Sequence, residues 1–224
     1  FSALYQQDPI SEESQEFRRS MFRYRKWSDF ESKNCRRFLA VDTAVSKRDG
    51  ADFTALATVY VDDDNNWNVS VMQKRMSPLE LIETLFLLHA RHRYEKIGIE
   101  KTAHATTLRP FLDAEMRKRN LFLPIIELNH GGRNKELRIR GLIPRYESGS
   151  VYHVEGESGD LETQLLQFPI GQFDDSADAL AYSLDIAASP FGKQFMAKDD
   201  IEFLRAMKRK REREEKSSGS FTMA

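Results

Sequence analysis

Cysteine is almost missing from this chain. Cys35 is the only one in 224 residues, so neither an internal disulfide nor a cysteine-built zinc site can form, and the usage fits a reducing compartment. Histidine is also scarce, at five residues. No apolar run is long enough to span a bilayer, so no membrane partner is expected. The opening residues include Gln6, Gln7 and Asp8 rather than a basic start followed by an apolar stretch, which excludes a signal peptide from the reading. The first residue is Phe1, not Met, and this reads as an excised fragment. No Gly-x-x-x-x-Gly-Lys-Ser/Thr run occurs, so a phosphate loop for ATP is absent, and there is no internal repeat. The net charge of −1 selects no class of partner, although 31% of the residues are charged and they are unevenly spread.

What is present is enough apolar content, 40%, for one good core with appendages. Residues 1–37 read as a linker that packs on the domain, with basic residues interleaved among Phe17, Phe22, Tyr24 and Trp27. Residues 38–188 read as the folded domain and 189–224 as a polar, charged tail, ending in a Lys208–Lys216 run whose Glu212, Glu214 and Glu215 nearly balance its cations. Within the domain, Phe38–Ala44, Phe53–Val61 and Trp67–Met72 have strand composition, the latter two separated by the Asp62–Asn66 turn. Ser77-Pro78-Leu79-Glu80 predicts a helix start, because Ser caps, Pro takes the first position and Glu completes a capping box. A strand at Ile97–Glu100, a helix around Leu108–Met116 and a strand at Leu121–Leu128 follow. Lys135, Arg138 and Arg140 mark a short basic helix, which is expected to feed a hairpin beginning at Val151–Val154. The amphipathic stretch 160–168 and a helix opening at Asp174, taken as its N-cap, complete the domain. The expected class is α/β, with a mixed central sheet of order 3-2-1-4-5 flanked by helices.

Three groups of acids stand where this topology brings chain ends together. Asp42 closes the first strand and Glu100 the fourth, and in the order 3-2-1-4-5 those two strands are neighbours. The last helix brings Asp174, Asp175 and Asp178, of which Asp175 and Asp178 share a face. Carboxylates packed this closely repel, and a divalent cation is the usual remedy. An all-oxygen set without His or Cys favours Mg²⁺ or Mn²⁺ over zinc. Two such ions about 3.5 to 4 Å apart activate water and stabilise phosphate and leaving oxygen, which is nuclease chemistry. The competing structural explanation is an N-cap, an exposed acid and a strand-end acid with no common purpose. Asp52 is a candidate to hold a metal water or simply a strand-start acid, and His104 is read as a surface side chain. Lys135, Arg138, Arg140 and Arg145 suit a track for the DNA backbone or, equally, a solvated face.

The order strand–Asp42, strand–Glu100 and helix Asp174-Asp175-Ser176-Ala177-Asp178-Ala179 resembles the RNase H-like nucleases. Within them it resembles the nuclease domain of the large terminase subunit of tailed bacteriophages. That branch is suggested by Ala3-Leu4-Tyr5-Gln6-Gln7-Asp8-Pro9, Asp52-Phe53-Thr54-Ala55, Lys135-x-x-Arg138-Ile139 with Gly149, and Phe168-Pro169 shortly before Asp174-Asp175. Phe173 departs from the pattern, since many relatives carry His there. The resemblance implies an RNase H-like fold, Asp42, Glu100 and Asp175 as a metal-binding triad with Asp174 and Asp178 in reserve, and two Mg²⁺ or Mn²⁺ ions. It also implies cutting of concatemeric double-stranded DNA during packaging, an ATPase domain of the same polypeptide that residues 1–37 link to the nuclease, portal protein and small terminase subunit as partners, and the cytoplasm of an infected bacterium as location. A Holliday-junction resolvase, a transposase-like nuclease or a catalytically idle DNA- or portal-docking module are the alternatives.

Overall fold

The computed structural model describes residues 15–31, 33–43, 53–128 and 134–187. The Tyr-Gln-Gln-x-Pro stretch, Asp52, the His104 side chain and the 189–224 tail lie outside the described residues.

A seven-stranded sheet forms the centre. Its strands are β1 (Arg23–Arg25), β2 (Arg36–Thr43), β3 (Phe53–Val61), β4 (Trp67–Arg75), β5 (Lys96–Glu100), β6 (Ile125–Leu128) and β7 (Val151–Val154), in the order β1-β7-β4-β3-β2-β5-β6. The run β4-β3-β2-β5-β6 is the expected 3-2-1-4-5. Strands β2, β3 and β4 form an antiparallel meander, while β5 joins β2, and β6 joins β5, in parallel. The last of the expected strands is shorter than its apolar stretch, because Pro124 has no N–H to give a ladder and instead accepts from the Ile97 amide through its carbonyl, at 2.9 Å.

One expectation is corrected. Val151–Val154 opens no hairpin, but pairs in parallel with β4 on one side and β1 on the other. Gly149, at φ +66°, turns the chain toward the β4 edge, and Ser150 accepts from the Trp67 amide there. After β7 the chain turns at Gly156 and enters a helix, with no residues left for a returning strand.

Helices cover both faces. Alternation along β2 divides its side chains, Leu39 and Val41 to one face and Phe38 and Ala40 to the other. Against Leu39 and Val41 lie α1 (Pro78–His92) and α2 (Ala103–Arg119), through Leu81, Leu85, Leu108 and Leu112. The predicted capping box on α1 is present: the Ser77 amide donates to Glu80 and the Glu80 amide to the Ser77 hydroxyl. The other face carries α3 (Lys135–Arg140), α4 (Ile143–Glu147), α5 (Gly159–Gln167) and α6 (Asp175–Ile186). Phe17 and Phe22 belong to that same core, Phe17 edge-on to Tyr146 and Phe168.

Helix α6 lies close to the sheet because both surfaces are small. Ala177 and Ala181 meet a floor containing Ala40, Ala55 and Ala57. Gly98 extends that floor, and a Cβ there would stand 2.8 Å from Leu128 and 3.2 Å from Ile186. Short side chains therefore set how near the first turn of α6 comes to the strand ends.

Candidate metal-binding acidic centre

Strand pleating decides which acids meet. Asp42 follows Phe38 and Ala40 at period two and so faces α6, where it is 4% exposed. In β5, Ile97 and Ile99 face α1 and α2, while Gly98 and therefore Glu100 face α6. Val41 pairs with Ile99, which sets Asp42 and Glu100 side by side at the ends of adjacent parallel strands. Asp42 is also level with Ala55 on β3, and Ala55 with Gln73 on β4. The alanine methyl leaves room between the two polar side chains for the start of α6.

The α6 acids close the group. Asp175 is its first residue, and Asp178 lies one turn on, 2% exposed. Burial raises the Asp42 carboxyl to a pKa of about 8, and the negative charges of Asp178, Glu100 and Asp175 add to the rise against the opposing charge of Lys135. Asp175 is raised too, first by burial and then by Asp174 and Asp178, while Lys135 opposes the shift. The Tyr182 hydroxyl, raised by burial and by Asp178, Asp42 and Glu100, stays neutral.

The four predicted DNA-contacting cations separate into two pairs. Lys135 and Arg138 point into the acids. The Lys135 Nζ is 2.7 Å from Asp174, 3.5 Å from Asp178 and 3.8 Å from Asp175. Arg138 donates to both oxygens of Asp178, at 2.6 and 2.8 Å, and its guanidinium lies 4.4 Å from the Tyr182 ring centre. Arg140 instead binds Glu16 and Glu136, and Arg145 lies over Trp67 and donates to the Asn65 carbonyl. Those two tie the 15–22 segment and the β3–β4 turn to the domain.

Two glutamines escaped the sequence reading. Gln164 on α5 accepts from the Ser176 and Ala177 amides, at 2.8 and 3.2 Å, and thereby caps α6 from outside. Asp174 occupies the N-cap position but makes no capping hydrogen bond with its side chain, which goes to Lys135. Gln164 also donates to the Gln73 carbonyl oxygen, and the Gln73 amide donates to Asp175 at 3.2 Å. The Ser176 hydroxyl donates to Gln73 as well. A signal for Gln73 was there: Trp67, Val69 and Val71 face inward, and Gln73 is the next inward position.

Asp42, Glu100, Asp174, Asp175 and Asp178 form an all-oxygen set whose mutual repulsion fits a hard divalent cation. Among the described residues, no group of three or more His, Cys, Asp or Glu side chains is arranged to hold a metal ion as it stands, and Lys135 supplies positive charge in their midst.

The sheet order β4-β3-β2-β5-β6 with helices on both faces is the mixed α/β arrangement expected from the sequence, and Asp42 and Glu100 stand at the ends of β2 and β5. No family model and no curated protein matches the chain. Among solved structures it is similar to the HK97 bacteriophage large terminase, at 16% identity and a TM-score of 0.48 over 69% of this chain. It is also similar to the fowlpox virus Holliday junction resolvase, at 13% identity and a TM-score of 0.39 over 66% of this chain and 95% of the resolvase. The chain spans 36% of the length of that terminase.

Proposed function

We propose that this chain is a divalent-metal-dependent endonuclease acting on double-stranded DNA, the nuclease part of a phage genome-packaging motor. The observation that carries the reading is Asp42: a buried carboxyl at the end of a central strand, raised to a pKa of about 8 by burial and by the acids of β5 and α6. A carboxyl buried this far, with further acids around it, supports a site for a hard cation. Asp42, Glu100 and Asp175 would hold Mg²⁺ or Mn²⁺, with Asp174 as a further oxygen donor. A pair of such ions supplies a lowered pKa for an attacking water and positive charge for the phosphate and the leaving oxygen. Gln73 orients Asp175, and Arg138 fixes Asp178 so that α3 and α6 keep their spacing. The packaging role, with portal protein, small terminase subunit and an ATPase domain as partners, draws its support from the Tyr-Gln-Gln-x-Pro, Lys-x-x-Arg and Phe-Pro…Asp-Asp motifs in their order along the chain. The same motif order favours the terminase branch over a resolvase.

The test is incubation of the purified chain with supercoiled plasmid in Mg²⁺, in Mn²⁺ and in EDTA, with phosphate release from ATP measured in parallel. Nicking or cutting with little sequence preference is expected in either metal and none in EDTA, and ATP is expected to survive, since the chain has no phosphate loop. Cutting in EDTA would contradict the metal mechanism. DNA binding without cutting in any metal would favour the docking module.

A further inference from the structure

Lys135 and Arg138 both neutralise the α6 acids, but in different ways. Arg138 is 9% exposed, holds both Asp178 oxygens with its fork and lies against Tyr182. Its bonds are short and directional. Lys135 has one close contact, to Asp174 at 2.7 Å, and two longer ones at 3.5 and 3.8 Å, and its side chain is 35% exposed. A single ammonium on a four-carbon stem is thus shared among three carboxylates, with an open route to solvent.

A divalent cation bound by Asp175 and its neighbours would meet that ammonium at close range. We propose that Lys135 is an exchangeable counter-ion: it neutralises the α6 carboxylates in the metal-free chain, leaves them when a divalent cation enters, and then pairs with a phosphate of the DNA backbone. The proposal rests on the metal-dependent nuclease reading and adds an order to it, metal first and the Lys135–phosphate contact second. It also reconciles Lys135's inward position with the basic track the sequence suggests. The charge released from the acids is the charge offered to DNA.

Two measurements test it. Mn²⁺ binding to the metal-free chain is followed by the electron paramagnetic resonance signal of free aqueous Mn²⁺, in wild type, Lys135→Gln and Lys135→Arg, each checked for native circular dichroism. Removing the ammonium is expected to tighten Mn²⁺ binding by about tenfold or more, whereas Lys135→Arg, which keeps the charge, gives no tightening. Binding of duplex DNA is then measured across salt concentrations in EDTA and in Ca²⁺. Lys135→Gln is expected to flatten the salt slope by roughly 0.9, one phosphate contact, in Ca²⁺ and not in EDTA. Mn²⁺ affinity that is equal or weaker in Lys135→Gln, or an equal loss of slope in both media, overturns the exchange. Metal-dependent plasmid cutting by the wild type alongside that result would leave the nuclease reading standing. Mn²⁺ that binds none of the three chains overturns both.

Discussion

At the scale of single residues, burial and the acids around it hold the Asp42 carboxyl of the metal-free chain far above the ordinary carboxylate range, at about 8. Between about pH 4 and pH 8 the folded state keeps a proton that the unfolded chain has lost, so this group makes stability fall as pH rises through that window. Asp175, shifted in the same direction, adds to the slope. Urea denaturation in EDTA should show a more stable chain at pH 5 than at pH 8, and Asp42→Asn should shrink that difference. The same variant, in Mg²⁺ or Mn²⁺, should fold and yet lose plasmid cleavage by more than about 100-fold, the upper figure for losing even an outer partner of a metal ligand. Wild-type cutting by Asp42→Asn would remove Asp42 from the site. Asp42 and Glu100 were legible in the sequence because each ends a short apolar run, and the pleat then decides that they face the same way. The ion pairs of Lys135 and Arg138 were not, because their partners lie some 40 residues away and a cation's appearance is the same whether it faces solvent or an acid.

Elements carry the next layer of the site. Arg138 joins α3 to α6 through a nearly buried pair, and truncating one member of such a pair leaves a charge without compensation. Arg138→Ala should therefore cost about 3 to 5 kcal/mol in urea denaturation. The Arg138→Met, Asp178→Leu double variant should recover much of that loss, since a well-packed apolar pair replaces an ionic one at little net cost. Helix α6 starts on a cap lent by α5, and Gln164→Ala should cost about 1 kcal/mol, a typical cap loss. Its larger effect should be on cleavage, because Gln73 loses the partner that positions its amide toward Asp175. The strand order around β2 and the capping box of α1 could be read from apolar runs and local motifs. The parallel placement of β7 could not, because pairing partners are chosen by which edge a turn faces, and Gly149 points the chain at β4 rather than back along itself.

For the molecule as a whole, the 15–31 segment is structural as well as basic. Phe17 is fully buried among Tyr146, Phe168 and the α5–α6 layer, and β1 extends the sheet beyond β7. Phe17→Ala should cost about 3 to 5 kcal/mol, measured by thermal or urea unfolding, as a large aromatic removed from a closed core does. A smaller loss would mean that this segment rests on the domain without completing its core. The residues tying it down include Arg140 to Glu16 and Arg25 to Asp62 and Asn68, so part of the basic excess of residues 17–37 is used internally. Charge counted along the chain overstated what is offered to a partner, because counting cannot see which cations are already matched.

The cap on α6 is an amide in a place where helices more often use an acid or a hydroxyl. The amide satisfies the Ser176 and Ala177 N–H groups without adding negative charge beside the carboxyls of Asp42, Glu100, Asp174, Asp175 and Asp178, and unlike an ionised acid it can both accept from the helix and donate to Gln73. The usual ranking of conservative substitutions should therefore be inverted here: Gln164→Glu, which preserves shape and would improve an ordinary cap, should reduce metal-dependent plasmid cleavage more than the cavity left by Gln164→Ala.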